Sequence, residues 1–500
     1  MNWISSNLLL ILALTPIIGI ALIMGLPSTG SANTHSWLQS DREKEVALIV
    51  SLITFWISIW VWIKFDNGNP DFQMVQKLDW MPLSGTSFIL GIDGISLFFI
   101  LLTTLLIPVC ILSSWESVKH MTKEFVMSLL LLESLLIIVF LVLDLISFYI
   151  FFESTLIPMI LIIAVWGSRK EKVQATYYLF IYTLIGSVFM LLGIFYIYYE
   201  IGTTDYQVLL NSIIPDSTQK WLWLAFFASF AVKIPMVPFH IWLPQAHTEA
   251  HLSGSIALAG ILLKLGGYGF LRFSLPLFPS ASVYFTPLIF VLSSIAIIYA
   301  SLTTLRQIDL KRIIAYSSVS HMGLVTLAIF TQQHIGIEAS IFLMIAHGIT
   351  SSALFICVTV LYDKFHTRII KYYRGIATTM PLFAIVFSIF SLANLGLPLT
   401  ANFVGEFLVL LSTYQINSFI AFLATTGVIF SAAYSLFLYN RVCFGSVSPY
   451  IAYSPENRDM GRREFYVFIP LVFLVIFLGV YPDLILNPLH ISVQNLVVKF

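Results

Sequence analysis

Apolar residues run through this chain in blocks of roughly 20, parted by short polar stretches, the helix length that crosses a hydrocarbon layer. The blocks fall at 8–26, 46–63, 95–112, 125–142, 145–166, 177–199, 221–239, 252–273, 283–302, 313–330, 335–362, 381–411, 418–439 and 465–480. Together they predict an all-α polytopic membrane protein with about fourteen transmembrane helices. The block at 381–411 is too long for one crossing and is interrupted. Residues 1–6 carry no basic segment, and neither a small-residue cleavage site nor an Arg-rich leader follows, so the first helix is expected to be kept. Such a chain is inserted from a bacterial cytoplasm or made inside an organelle.

Composition agrees. Hydrophobic residues make up 59% of the chain and charged residues 10%, against about 25% charged in a soluble domain, so polar surface is too scarce to cover the protein in water. Basic and acidic residues balance at 25 each, which argues against a nucleic-acid partner. Cys110, Cys357 and Cys443 have no iron–sulfur or C-x-x-C spacing. Gly266-Gly267-Tyr268-Gly269 lies in an apolar helix, where close packing explains it better than phosphate binding. Basic residues collect in alternate loops: Lys119 and Lys123; Arg169, Lys170 and Lys172; Arg306, Lys311 and Arg312; Lys364, Arg368, Lys371 and Arg374. By the positive-inside rule these face the cytoplasm or matrix, and both termini face the other side; Lys64 and Lys77 fit less well.

Two blocks are broken alike. The seventh contains Lys233-Ile234-Pro235-Met236-Val237-Pro238; the twelfth runs through Asn394-Leu395-Gly396-Leu397-Pro398 to Gly405-Glu406. Proline removes a backbone donor and clashes with the preceding turn, so each break should unwind its helix. Unwound backbone at membrane depth survives only where protein or a polar cavity surrounds it. Breaks in blocks of opposite direction point to inverted repeats with a site near the midplane.

Ionisable residues inside apolar blocks cost about 2.5–3.5 kcal/mol each on insertion scales and are functional candidates by default. Glu153, Lys233, Lys264 and Glu406 are the strongest, with Lys264 nearest the centre of its block. Glu133 is weaker, and Asp144 reads better as an interfacial carboxylate. If Glu153 faces Lys233, closing that pair would load a proton on the lysine, and opening it would favour release toward Lys264 and the histidines. His321 and His347 each have a hydroxyl three or four residues away, and two readings stay open: a ring satisfied by that hydroxyl, or a proton relay. His240, His247, Glu249 and His251 superficially resemble metal ligands, but their spacing does not put three on one helical face. A polar cavity lining or proton inlet is the better reading, and no metal is expected there.

These residues lie in stretches that resemble the antiporter-like membrane subunits of respiratory complex I. They include Gly91-Ile92-Asp93-Gly94-Ile95-Ser96, Phe151-Phe152-Glu153, Lys233-Ile234-Pro235, His240-Ile241-Trp242-Leu243-Pro244 and Ala246-His247. Leu263-Lys264-Leu265-Gly266, Ile314-Ala315-Tyr316-Ser317-Ser318 and Gly405-Glu406-Phe407 continue the series in order. Mitochondrially encoded forms are the most similar. The resemblance implies one membrane domain over 1–500, with two inverted five-helix repeats, each containing a broken helix, at 125–273 and 283–440. N-terminal helices at 1–113 precede them, and a C-terminal helix and tail at 465–500 follow.

The same resemblance implies a proton path through Glu153, Lys233, Lys264, His321, His347 and Glu406, driven by quinone reduction elsewhere in the complex. NADH, FMN, iron–sulfur clusters and ubiquinone would then sit on other subunits. The implied partners are other membrane-arm subunits, the neighbouring antiporter-like ones above all, and lipids. The implied setting is the mitochondrial inner membrane, or else a bacterial plasma membrane. Glu406 stands where some members carry lysine, and the chain ends at Phe500 without the long lateral helix of others. The family usually has proline where His251 stands, and often Glu or Lys at Gln245, which puts the geometry before the eighth block in question. The nearest rival is a sodium–proton antiporter subunit of a multi-subunit exchanger. A rival of another class is a membrane scaffold whose charges only hold helices together.

Overall fold

The structure, a computed structural model, describes residues 7–26, 36–81, 86–452 and 458–498. Residues 1–6 and Phe500, on which expectations about the chain ends rest, lie outside these. The helices are α1 Leu8–Gly25, α2 Ser36–Lys64, α3 Gly94–Ser113, α4 Thr122–Leu141, α5 Leu145–Trp166, α6 Lys172–Ile201, α7 Asp216–Lys233, α8 Trp242–Glu249 and α9 Leu252–Leu277. They continue as α10 Pro279–Arg306, α11 Leu310–Ile329, α12 His334–Phe365, α13 Pro381–Leu395, α14 Ala401–Ile416, α15 Ser418–Cys443, α16 Arg462–Val480 and α17 Asp483–Val497. Among the described residues, 12 helices are long and apolar enough to cross a membrane. α7 is not one of them, because it opens on Asp216-Ser217-Thr218-Gln219-Lys220 and closes on Lys233; α13 is apolar but short.

Two elements depart from the all-α expectation of spans alone. An antiparallel hairpin joins β1 Gln73–Met81 to β2 Thr86–Ile92, with Lys77 opposite Ile89 and Leu78 opposite Phe88. Its apolar runs are too short to cross a bilayer, and so left no mark in the span pattern. The segment read as a tail is helix α17, amphipathic rather than continuously apolar. It buries Ile485, Leu489, Val493 and Leu496 along one face, at the three-to-four-residue spacing that lays a helix along a protein surface.

Burial is graded. Every residue of α9 is buried, and so is nearly all of α12 beyond its first turn, whereas α2, α6 and α16 turn much of their surface outward. A helix hydrophobic all round belongs at the centre of a bundle. Glycines let α9 and α12 meet closely: a Cβ on Gly348 would stand 2.9 Å from the Gly260 carbonyl oxygen, and one on Gly260 2.9 Å from Ser352 Oγ. Close backbone approach at small residues is the usual means of helix association where solvent supplies no hydrophobic drive.

The other end of α9 is pinned by charge. Arg272 donates from both terminal nitrogens to Asp93, at 2.8 and 2.6 Å, and from Nε to the Tyr268 hydroxyl at 3.1 Å. Asp93 also caps α3, accepting from the Ser96 amide at 3.0 Å. Burial alone would raise the Asp93 carboxyl; the Arg272 guanidinium, together with the hydrogen bonds from Ser96, more than offsets it and leaves the group below its ordinary value. Removing one partner of a buried pair strands the other charge, at about 3–5 kcal/mol. Arg272→Met should therefore lower the melting temperature of the purified assembly clearly, and the double change Arg272→Met with Asp93→Asn should recover much of the loss. An unchanged melting temperature in the single variant would contradict this assignment.

Candidate functional site

Both interrupted helices form as the prolines require. α7 ends at Lys233, and residues 234–241 are a series of turns before α8. The indole of Trp242 reaches back to the Val232 carbonyl at 2.9 Å, supplying a donor where the helix no longer does. α13 ends at Gly396, whose φ of 79° is left-handed, and the Leu397 amide donates to the Leu392 carbonyl, a Schellman closure. A Cβ at Gly396 would run into Glu406 Oε2, so glycine here serves both the turn and the carboxylate beneath it.

The centre of the site lies at the α9–α12 crossing. Lys264 is one turn beyond Gly260, and His347 immediately precedes Gly348, so the glycine contact brings the two side chains together. Lys264 Nζ lies 3.0 Å from His347 Nδ1 and also donates to the Ala259 carbonyl. Ala259 belongs to a π-turn, Leu258–Leu262, a wide turn of the kind frequent at functional sites. The His347 and His321 rings are 5.4 Å apart. His321 Nδ1 stands 3.1 Å from Glu406 Oε1, close enough to pair although not aligned as a hydrogen bond. The Tyr434 hydroxyl approaches His321 Nε2 at 3.4 Å. All four groups from Lys264 to Glu406 are buried.

Hydroxyls near the histidines in sequence do not satisfy the rings. Ser317 and Ser318 donate to the Ile314 carbonyl, Thr350 to that of Ala346, and Ser351 to that of His347. Each bonds backward along its own helix, as hydroxyls in helices do.

Lys233 and Glu153 are near one another but not joined. No ion pair within 4.0 Å links these two described residues; Lys233 Nζ lies 4.4 Å over the Phe152 ring, next in sequence to Glu153. Lys233 Nζ and Glu153 Oε1 are both buried without a hydrogen-bond partner. The expected contact is thus an open pair, with an aromatic face holding the cation beside the carboxylate.

The remaining candidates separate by their partners. Asp144 caps α5, accepting from the Ser147 amide at 2.8 Å and the Thr204 hydroxyl at 2.5 Å, so its role is to shape the helix start. Glu133 is buried in α4 with one oxygen on Thr54, at 2.5 Å, and the other unpartnered. His240 packs against the rings of Tyr299 and Tyr316. His247 stacks on Phe355 at 4.7 Å, with both nitrogens buried and unpartnered. Three successive carbonyls at the end of α8 take donors from other loops: Thr248 from Arg368, Glu249 from the Ser168 amide, and Ala250 from Lys311. Cations at a helix C-terminus complement its dipole and fix the helix that carries His247. Among the residues that the sequence reading passed over, Arg272 lies within a span and could have been found by the same rule as Lys264. Tyr434 carried no such mark.

The chain has clear relatives. Residues 142–431 match the family described as NADH:quinone oxidoreductase/Mrp antiporter, TM. A NADH-ubiquinone oxidoreductase chain 4 of Chondrus crispus is 54% identical over 496 residues, covering 99% of each chain. One of Metridium senile is 54% identical over 498 residues, covering 99% of this chain and 98% of its own. The chain belongs to the NADH-ubiquinone oxidoreductase chain 4 family. Its fold is similar to that of a chain in respiratory complex I from Thermus thermophilus with bound NADH, with a TM-score of 0.87 and 28% identity over 98% of this chain and 99% of that one.

At His251 the backbone itself is suited to proline. His251 has φ −57° and Ala250 before it φ −61° and ψ 145°, both compatible with proline at 251. The ring is held by Ser117 at 3.0 Å and Ser253 at 3.1 Å and packs on Phe125. Burial pushes its pKa down to about 3, with the Lys311 ammonium adding to the effect, so the ring is neutral at physiological pH and serves packing. His251→Pro should therefore assemble at the wild-type level, measured as the amount of intact complex. Ala250→Pro, which deletes an amide donating to Ala246 at 2.9 Å, should reduce that amount strongly. Equal behaviour of the two variants would contradict this account of the break.

Proposed function

We propose that the chain moves protons across the membrane through the buried series Lys264, His347, His321 and Glu406, fed from Lys233 and Glu153. It is a membrane-arm subunit of NADH:ubiquinone oxidoreductase, a multi-pass protein of the mitochondrial inner membrane that works among the other membrane subunits of that complex. The observation that carries the reading is continuity: from α9 to α14, each titratable group stands buried and within direct or near reach of the next. Ionisable groups packed so deeply are expensive to keep, and a chain of them with both donors and acceptors is what proton transfer needs.

In this reading fourteen spans form two inverted repeats, 125–273 and 283–440, with α7–α8 and α13–α14 as the two broken helices. Helices at 1–113 flank them on one side, and 465–500 on the other. Lys233, open to Glu153, takes a proton when the pair closes and yields it when the pair opens. Lys264 hands it to His347, and Glu406, held beneath the Gly396 turn, is the terminal acceptor. His247, on the pinned α8, lies on the inlet side of Lys264. Quinone reduction elsewhere in the complex supplies the energy. NADH, FMN, iron–sulfur clusters and ubiquinone are held by other subunits.

Lys264→Met and Glu406→Gln should each lower NADH-driven proton transport by the reconstituted complex by roughly 10²-fold, the lower end of what a positioned proton carrier contributes. The amount of assembled complex should not change. Wild-type transport in both variants would overturn the reading in favour of a scaffold role for the charges.

A further inference from the structure

The N-terminal end of α12 carries a second histidine–carboxylate cluster, which the proposed path does not use. His334 opens the helix, Glu338 follows one turn later on the same face, and His490 reaches in from α17. His334 Nδ1 lies 3.5 Å from one Glu338 oxygen, and His490 Nδ1 lies 3.0 Å from the other. One ligand atom from each residue falls within 4.8 Å of the other two.

Ring orientation is the telling feature. His334 Nε2 stands 3.1 Å from the His490 backbone carbonyl. A carbonyl can only accept, so Nε2 carries the ring proton, and a neutral His334 turns the bare lone pair of Nδ1 toward a carboxylate. Lone pair against carboxylate is repulsive unless a cation or an added proton stands between them. A ring N–H held by a backbone carbonyl is also the arrangement that fixes the tautomer of metal-ligating histidines.

We propose that His334, Glu338 and His490 form a binding site for a zinc-class divalent cation that ties α17 to the start of α12. Ligand atoms around a tetrahedral zinc at roughly 2.0–2.2 Å lie about 3.3 Å from one another, and each histidine Nδ1 stands near that distance from a Glu338 oxygen, His334 from one and His490 from the other. Two imidazoles and one carboxylate suit zinc or its neighbours and not calcium or magnesium, which prefer oxygen ligands. Access is open, since the His490 side chain is 61% exposed and that of His334 25%. Three protein ligands leave a fourth position for water. The same helix bears His347 three to four turns further on, so a bound cation would fasten the helix at the heart of the proposed path to a surface helix.

The test is equilibrium dialysis of the purified whole complex against radioactive zinc, with wild type compared to His490→Asn, His334→Gln and His490→Cys. His490→Asn and His334→Gln should each bind one equivalent of zinc fewer per complex, while His490→Cys, which restores a ligand, should keep it. Excess calcium or magnesium should not displace the difference. NADH:quinone activity measured with chelator present should match wild type in all three. If His490→Asn and His334→Gln bind zinc with wild-type stoichiometry and affinity, the cluster holds only a protonated histidine–carboxylate pair, and the proposal fails. Zinc binding does not depend on the proton path, so the two readings fail separately.

Discussion

The close crossing of α9 and α12 at Gly260 and Gly348 is the constraint on which the rest of the structure depends. Backbone meets backbone there, and no side chain fits between. Lys264 and His347 lie beside that contact, so a polar pair forms where two deeply buried helices cross. A helix that is apolar all round has no preferred face in lipid; small residues choose the face, and the polar pair fixes its register. The Arg272–Asp93 pair then stops α9 from sliding, by anchoring its far end to the cap of α3.

The two broken helices solve a problem that the crossing creates. Four buried titratable groups in series need polar surroundings, and an intact helix offers none, because its own backbone groups are paired. Unwinding at 234–241 and at Gly396 brings backbone, Trp242 and the Glu406 carboxylate into the interior, with Trp242 supplying a donor to the Val232 carbonyl. Several side-chain atoms there nonetheless lack partners, among them Lys233 Nζ, Glu153 Oε1 and His347 Nε2. Unpartnered buried polar atoms destabilise a fold, commonly by about 1–3 kcal/mol each.

Much of this was legible in the sequence, and the failures have physical causes. Span-length apolar blocks mark crossing helices well, because lipid imposes a length. The strand pair β1–β2 and the amphipathic α17 escaped because neither has an apolar run of span length. Lys264 and Glu406 stood out as charges in apolar blocks; Arg272 obeyed the same rule and was passed over near the end of its block. The pairing of Lys264 with His347, 83 residues apart, depends on a crossing that no local pattern encodes. Local spacing left two readings of His321 and His347 open, and the hydroxyls one turn away bond their own backbone while the two rings face each other. How far Glu153 stands from Lys233, 80 residues away in the chain, is likewise set by helix packing that no local pattern encodes.

The central claim is that Lys264, His347, His321 and Glu406 act in series as one route. Groups in series share a single loss when broken, whereas independent contributions multiply. The decisive measurement is NADH-driven proton transport by reconstituted complex carrying Lys264→Met, His321→Ala or both. The account predicts that the double variant transports no more slowly than the slower single variant. Losses that multiply in the double variant would contradict a single route.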